Sequence, residues 1–325
     1  MWRSTGVRVL KQMEDACVKA ARAEGFAGRS CFDDYRDGFH DRLAASWPEK
    51  REQLHAGGER ITDKMVAELE ALAHDGEAPQ PFASGTRVLD VCCGEGATAI
   101  ALAKRFPLVE FVGIDIVEKA VAVARTSVER DAACAALPKP PRFVHGTIFK
   151  MPFDDGIFDA VLAQDADGFA HADRDAAFAE VARVLRPCAQ GVLYLHHHWI
   201  PGADWTQPQR EEYTAAQAAL GWDCSAPFSA ADYVMSAERA GLTLVAPPTP
   251  LTGLATAHFE ATQVRRAERG DPRDGWLDAN LRFVARGLSF GVKLVAVTGG
   301  GACVNAPSAA HAVRNRDTAL GCHCC

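Results

Sequence analysis

The stretch Val88 to Ala103, VLDVCCGEGATAIALA, contains residues whose types and spacing suggest chemistry. A short apolar run carries Asp90, passes through Cys92-Cys93-Gly94-Glu95-Gly96 and enters a helical pattern. Glycines at 94 and 96 let a backbone turn sharply and approach a ligand, and the helix start beyond them offers free amide donors to an anionic group. A second run, EFVGID, ends at Asp115, and 115 − 94 = 21 residues, about the 20-residue separation at which an acid meets a ribose in dinucleotide folds. A glycine turn alone is also what a strand-to-helix connection uses for steric reasons. The Cys92-Cys93 pair admits a metal or redox reading. Of eleven cysteines, however, eight are scattered without C-x-x-C pairs and three cluster in the tail GCHCC at Cys322, Cys324 and Cys325, a usage that suits reduced thiols.

Histidines supply a second set of candidates. His196-His197-His198 closes an apolar run, where substrates bind, and could be read as a metal cluster. Strand side chains alternate between faces, so only His196 and His198 can share one, and two histidines without an acid or cysteine pattern make a poor metal site. Substrate contact or acid-base service is the better reading for them. His171 could serve as a base or cap the helix that follows, and His258-Phe259 lies in a long insertion.

These residues need elements to position them. The runs at 87–91, 110–115, 142–146, 158–163, 191–197, 242–247 and 291–297 alternate with helical patterns such as ATAIALAKRF, EKAVAVARTSVERDA, DRDAAFAEVARVL and SAADYVMSAERAG. That alternation predicts an α/β fold: a Rossmann-like, seven-stranded, mostly parallel sheet with helices on both faces, its ligand beyond the carboxyl ends of the strands. Three parts are expected: an N-terminal helical cover at 1–85, a core domain at 86–300, and a disordered tail at 301–325. Insertions at 199–228 and 248–289 exceed what connections need and read as further cover over a pocket.

With 325 residues, 48% of them hydrophobic, the chain can bury a substantial core. A formal charge of −7 and a pI near 5.9 argue against nucleic acid or anionic membrane as partners and favour a small molecule. No run of 18 apolar residues is present, so no membrane-crossing helix is expected. The N-terminus lacks the apolar centre of a secretory signal, and Glu14, Asp15 and Glu24 weigh against a transit peptide. The expected setting is cytoplasmic, as a monomer or homodimer.

The order of these motifs resembles the class I S-adenosylmethionine-dependent methyltransferases. It is carried by Asp90-Val91-Cys92-Cys93-Gly94-Glu95-Gly96, by Asp115, and by MPFDDGIFDAV followed by EVARVLRP, and is strong over roughly 86–200. The resemblance implies S-adenosylmethionine as cofactor. It assigns its ribose to Asp115, its adenine to an apolar slot at Ile116, Thr147, Ile148 and Phe149, and its aminoacyl end to Asp90, Gln164 and the Gly94–Gly96 backbone. Cys92 stands where the family has its first glycine, a place a side chain tolerates if the backbone keeps φ < 0.

Within the class, Ala163-Gln164-Asp165-Ala166 with His171 resembles the glycine, sarcosine and dimethylglycine N-methyltransferases, as does Ala257-His258-Phe259. This implies a glycine-betaine-type amine acceptor and an osmolyte product, with His171, His258 or His196 as base. Tyr35, Trp47, Asp165, His198, Trp199 and Phe259 would contact substrate, aromatic faces suiting a methylated cation. S-methylation of a small thioether or thiol acid would use the same cage. Arsenite methylation through the GCHCC tail and a silent cofactor-binding module are further alternatives. A nicotinamide oxidoreductase is disfavoured because Ala99 stands where that fingerprint needs glycine.

Overall fold

Apolar runs of β-branched residues alternate with amphipathic stretches, and in the computed structural model they condense into one sheet with helices on each face. The structure describes residues 58–166, 174–200, 206–211, 230–250 and 290–299, with Val264 and Glu268 as isolated positions. The elements are α1 (Gly58–His74), β1 (Arg87–Val91), α2 (Ala97–Arg105), β2 (Glu110–Asp115), α3 (Glu118–Arg130), α4 (Ala132–Ala135) and β3 (Arg142–His145). They continue with β4 (Ala160–Gln164), α5 (Arg174–Val184), β5 (Val192–Ile200), α6 (Ala230–Arg239), β6 (Leu242–Leu244), β7 (Thr249–Pro250) and β8 (Phe290–Thr298).

The strand order is β3-β2-β1-β4-β5-β8-β6, with the two-residue β7 on β8. β1 to β5 run parallel, whereas β8 is antiparallel to β5, β6 and β7. The predicted seven-stranded, mostly parallel sheet is therefore present. Compared with the 3-2-1-4-5-6 order of dinucleotide folds, a reversed strand sits between the fifth and sixth. The order turns between β1 and β4, the place where such sheets open a ligand crevice beyond the carboxyl ends. In the run at 242–247 the strand covers Leu242–Leu244 and the Val245 N–H adds one more bond to the Val295 carbonyl (2.9 Å), while Pro247 and Pro248 beyond it lack the N–H a ladder needs.

Alternation divides the sheet into two faces. Leu89, Val91, Val112, Ile114, Val161, Ala163, Leu193 and Leu195 point to a core closed by α5 and α6 through Ala177, Phe178, Val181, Tyr233 and Ala237. Val88, Phe111, Ala160, Leu162, Val192 and Tyr194 point to the other, closed by α2, α3 and α1. Met65, Val66 and Leu69 of α1 are fully buried in that second core, so part of the segment expected as cover also packs on the sheet itself.

Among the described residues Cys92, Cys93 and Cys134 are free thiols, but Cys188 is disulfide-bonded, which corrects the expectation of reduced cysteines throughout. Among the described residues no helix is long and apolar enough to cross a membrane.

Candidate functional site

Two carboxylates sit where the order of the sheet turns. Asp90, on β1, and Asp115, ending β2, fall on the same face by the pleat, beside Val88 and Phe111. Asp115 is 7% exposed, and its carboxylate oxygens accept the Gly94 N–H (2.8 Å) and the Val117 N–H (2.8 Å). Those bonds fix the orientation of the group and leave further lone pairs for hydroxyl donors. Asp90 is more buried, at 3%; one interaction is with the Ala99 backbone N–H, while Oδ2 has no hydrogen-bond partner. Burial, with the nearby Asp115 charge adding, pushes the Asp90 carboxyl up from 3.8 to about 7.

A strained turn joins the two acids. Cys92 (φ 55°), Gly94 (φ 52°) and Gly96 (φ 78°) all take the left-handed conformation. The expectation that Cys92 keeps φ < 0 is thereby corrected: the position has the glycine conformation without glycine, at a cost of roughly 1–2 kcal/mol. A Cβ on Gly96 would lie 2.5 Å from Phe143 Cε1, so glycine there answers to the β3 side chain as well as to φ. Gly113 opposite makes the same allowance for Phe143 and for the Cys93 sulfur. Cys92 packs toward the α5/α6 core and Cys93 toward the α2/α3 core. Burial, then Asp115 and Asp90, raise the Cys93 thiol well above its ordinary range. A thiol kept protonated is neither a good metal ligand nor a nucleophile, and among the described residues no group of three metal-ligating side chains forms.

Beyond β2 and β3 the chain forms an apolar shelf. Ile148 is 6% exposed and packs with Ile114, Met151 and Cys92; Phe149 is half-buried beside them. Phe149 N–H donates to Thr147 Oγ1 at 3.3 Å, and Gly146 N–H to the Asp115 carbonyl at 2.9 Å, which ties the shelf to the acid. Ile116 and Thr147 are partly exposed next to it.

Gln164, closing β4, faces the same side as Asp90 but is engaged by Thr62 of α1, Gln164 Nε2 donating to Thr62 Oγ1 at 3.2 Å. His196 is fully buried in register with Gln164 and Lys293, and its Nε2 lies 4.0 Å from Asp165 Oδ2. Asp165 is held at φ 51°, its N–H donating to the His196 carbonyl at 2.9 Å. His197 points the opposite way, its Nδ1 2.9 Å from the Tyr233 hydroxyl. The side chains of His198 and Trp199, and the whole of Tyr35, Trp47, His171, His258, Phe259 and the GCHCC tail, lie outside the described residues.

Sequence reasoning missed Thr62, and Glu68, which ion-pairs with Lys293. Both lie on an amphipathic helix whose polar positions carry no signal of which strand they will meet. The residues do fit S-adenosylmethionine. An orphaned buried carboxylate oxygen suits its ammonium, a fixed carboxylate suits its ribose hydroxyls, and an apolar shelf suits its base.

Comparison with known proteins agrees. Residues 88–188 match the sequence family described as a methyltransferase domain. The chain is 38% identical over 131 residues to a demethylmenaquinone methyltransferase of Deinococcus radiodurans, covering 40% of this chain and 47% of that one. It spans about half the length of the curated relatives it matches. Among solved structures, a proposed sarcosine dimethylglycine methyltransferase from Galdieria sulphuraria superposes with TM-score 0.63 at 18% identity, over 81% of this chain and 99% of that one. Phosphoethanolamine N-methyltransferase 2 of Haemonchus contortus, solved with S-adenosyl-L-methionine, gives TM-score 0.62 at 18% identity, over 84% and 61%. At those identities the likeness shows the Rossmann-like fold alone.

Proposed function

We propose that this chain transfers a methyl group from S-adenosylmethionine to a small polar acceptor, and that the acceptor is an amine of the sarcosine or dimethylglycine type. The methyltransferase-domain match supports the reaction. The observation that carries the cofactor's placement is the buried acidic pair Asp90 and Asp115, one with an unpartnered oxygen, at the turning point of the sheet. Asp115 would take the ribose hydroxyls, Asp90 Oδ2 the ammonium, and Ile116, Thr147, Ile148 and Phe149 the adenine.

Bound there, the cofactor supplies an electrophilic methyl group on a sulfonium. The chain's part is alignment and exclusion of water, and good alignment is worth up to roughly 7–11 kcal/mol. An ammonium acceptor must also lose its proton. The described site offers His196 beside Asp165 for that, and His171 and His258 remain candidates. The two structural neighbours carry sarcosine, dimethylglycine and phosphoethanolamine in their names, which supports an amine. The complete burial of His196 favours a second reading, transfer to a small thioether, which needs no base. A cytoplasmic monomer or homodimer making an osmolyte completes the proposal.

The test is incubation of the purified protein with methyl-labelled S-adenosylmethionine and a panel of amines, thioethers and arsenite. Label on sarcosine or dimethylglycine is expected. Transfer to thioethers alone selects the second reading, and no transfer to any amine overturns the first. Asp115→Ala should weaken S-adenosylhomocysteine binding by about tenfold or more in calorimetry, because hydrogen bonds to a charged carboxylate are lost; an unchanged constant overturns the assignment of Asp115.

A further inference from the structure

The segment from Met151 to Asp155 has no regular structure, yet one side chain of α5 grips it at several points. Arg183 Nη2 donates to the Met151 carbonyl (3.0 Å), and Nη1 donates to the Phe153 carbonyl (2.8 Å) and to Asp155 Oδ1 (2.7 Å). Its remaining edge is held by Glu180, with Nε to Oε1 at 2.7 Å and Nη2 to Oε2 at 2.8 Å. Glu180 Oε2 also accepts the Met151 N–H at 2.7 Å. Both backbone groups of Met151 are therefore committed to this Glu-Arg pair. A planar guanidinium can hold several acceptors at fixed angles, which an ammonium cannot.

The gripped segment continues directly from the apolar shelf. Ile148 and Met151 belong to one buried cluster with Ile114, and a Cβ on Gly146 would lie 3.1 Å from Ile114 and 3.4 Å from Pro152. On its other side the shelf is tied to Asp115 through the Gly146 N–H. Within the shelf, the turn of Thr147 with Lys150 and the Phe149 N–H bond to Thr147 Oγ1 are both local to the loop. The far end of the shelf, at Met151 and Phe153, is where Arg183 and Glu180 hold the backbone.

We infer that Arg183, braced by Glu180, is a positioning residue for the cofactor's adenine: it latches the 151–155 segment and so sets the Ile148–Phe149 shelf at the correct distance from Asp115. The inference rests on the cofactor placement proposed above. If loss of the latch lowers the population of the competent shelf to about one in ten, apparent adenine-dependent affinity falls about tenfold.

The test uses the full chain and two probes, S-adenosylhomocysteine and S-ribosylhomocysteine, which carries an anomeric hydroxyl in place of the adenine. Calorimetry should show Arg183→Ala weakening the first by about tenfold while leaving the second within about twofold. Arg183→Lys keeps the charge but not the fork, so it should fall between wild type and alanine; it carries the same comparison if the alanine variant does not fold. Unchanged S-adenosylhomocysteine binding in the variants, or equal weakening of both probes, overturns the latch as an adenine-positioning device. If the wild-type protein binds neither probe, the cofactor placement fails, and this inference fails with it.

Discussion

Asp90 is where burial does the most chemical work. Its carboxyl is raised from 3.8 to about 7 by burial first and by Asp115 second. The folded chain therefore holds a proton that the unfolded chain releases between about pH 4 and pH 7. The associated stability is fully present below the ordinary carboxylate range and is lost as pH rises through about 7, by an amount on the order of 4 kcal/mol. A cation beside Oδ2 reverses the balance, since it favours the ionised form. S-adenosylhomocysteine should thus bind more tightly as pH rises from 6 to 8, releasing a proton on binding below pH 7, and Asp90→Asn should lose the pH dependence along with affinity. Calorimetry in two buffers of different ionisation enthalpy checks this, and a pH-independent constant with no proton release contradicts it. The sequence made Asp90 and Asp115 legible, because an acid at a strand end is visible in the pattern. Their mutual repulsion was not visible, because it depends on which strands lie side by side.

The strand-to-helix turn is the element on which the sequence reading was only half right. Its existence follows from the glycines, and the two cysteines do point to opposite cores. The left-handed backbone at Cys92 does not follow, because local sequence constrains φ at a non-glycine position weakly. Cys92→Gly removes a strain of roughly 1–2 kcal/mol and adds unfolded-chain entropy of roughly 0.5–1 kcal/mol, so thermal stability should hold or rise slightly. S-adenosylhomocysteine affinity should hold or improve in the same variant. A fall in affinity of tenfold or more would instead point to a required side chain at 92. The strands themselves were legible because each run has its own apolar period. The two-residue β7 was not, because a pair that short has no period.

At the scale of the whole molecule, the question is whether α1 belongs to the fold or rests on it. Sequence pattern marks 58–74 as amphipathic but cannot say what its apolar face meets. In the structure Ile61, Met65, Val66 and Leu69 are fully buried, and three of them lie in one cluster with Val88, Phe111, Leu162 and Tyr194. Polar groups reinforce the contact at both ends, Thr62 with Gln164 and Glu68 with Lys293. Burial, with Glu68 adding, raises Tyr194 above its ordinary range, so the interface keeps a neutral phenol beneath the helix. A helix that closes one face of the central strands should unfold with them. Leu69→Ala should cost about 2–5 kcal/mol, the range for a buried leucine whose surroundings collapse only partly. The loss should appear as one cooperative transition in urea, with far-UV and near-UV circular dichroism shifting to the same lower midpoint. Two transitions, the later at the wild-type midpoint, would mean that α1 releases alone and the sheet is stable without it.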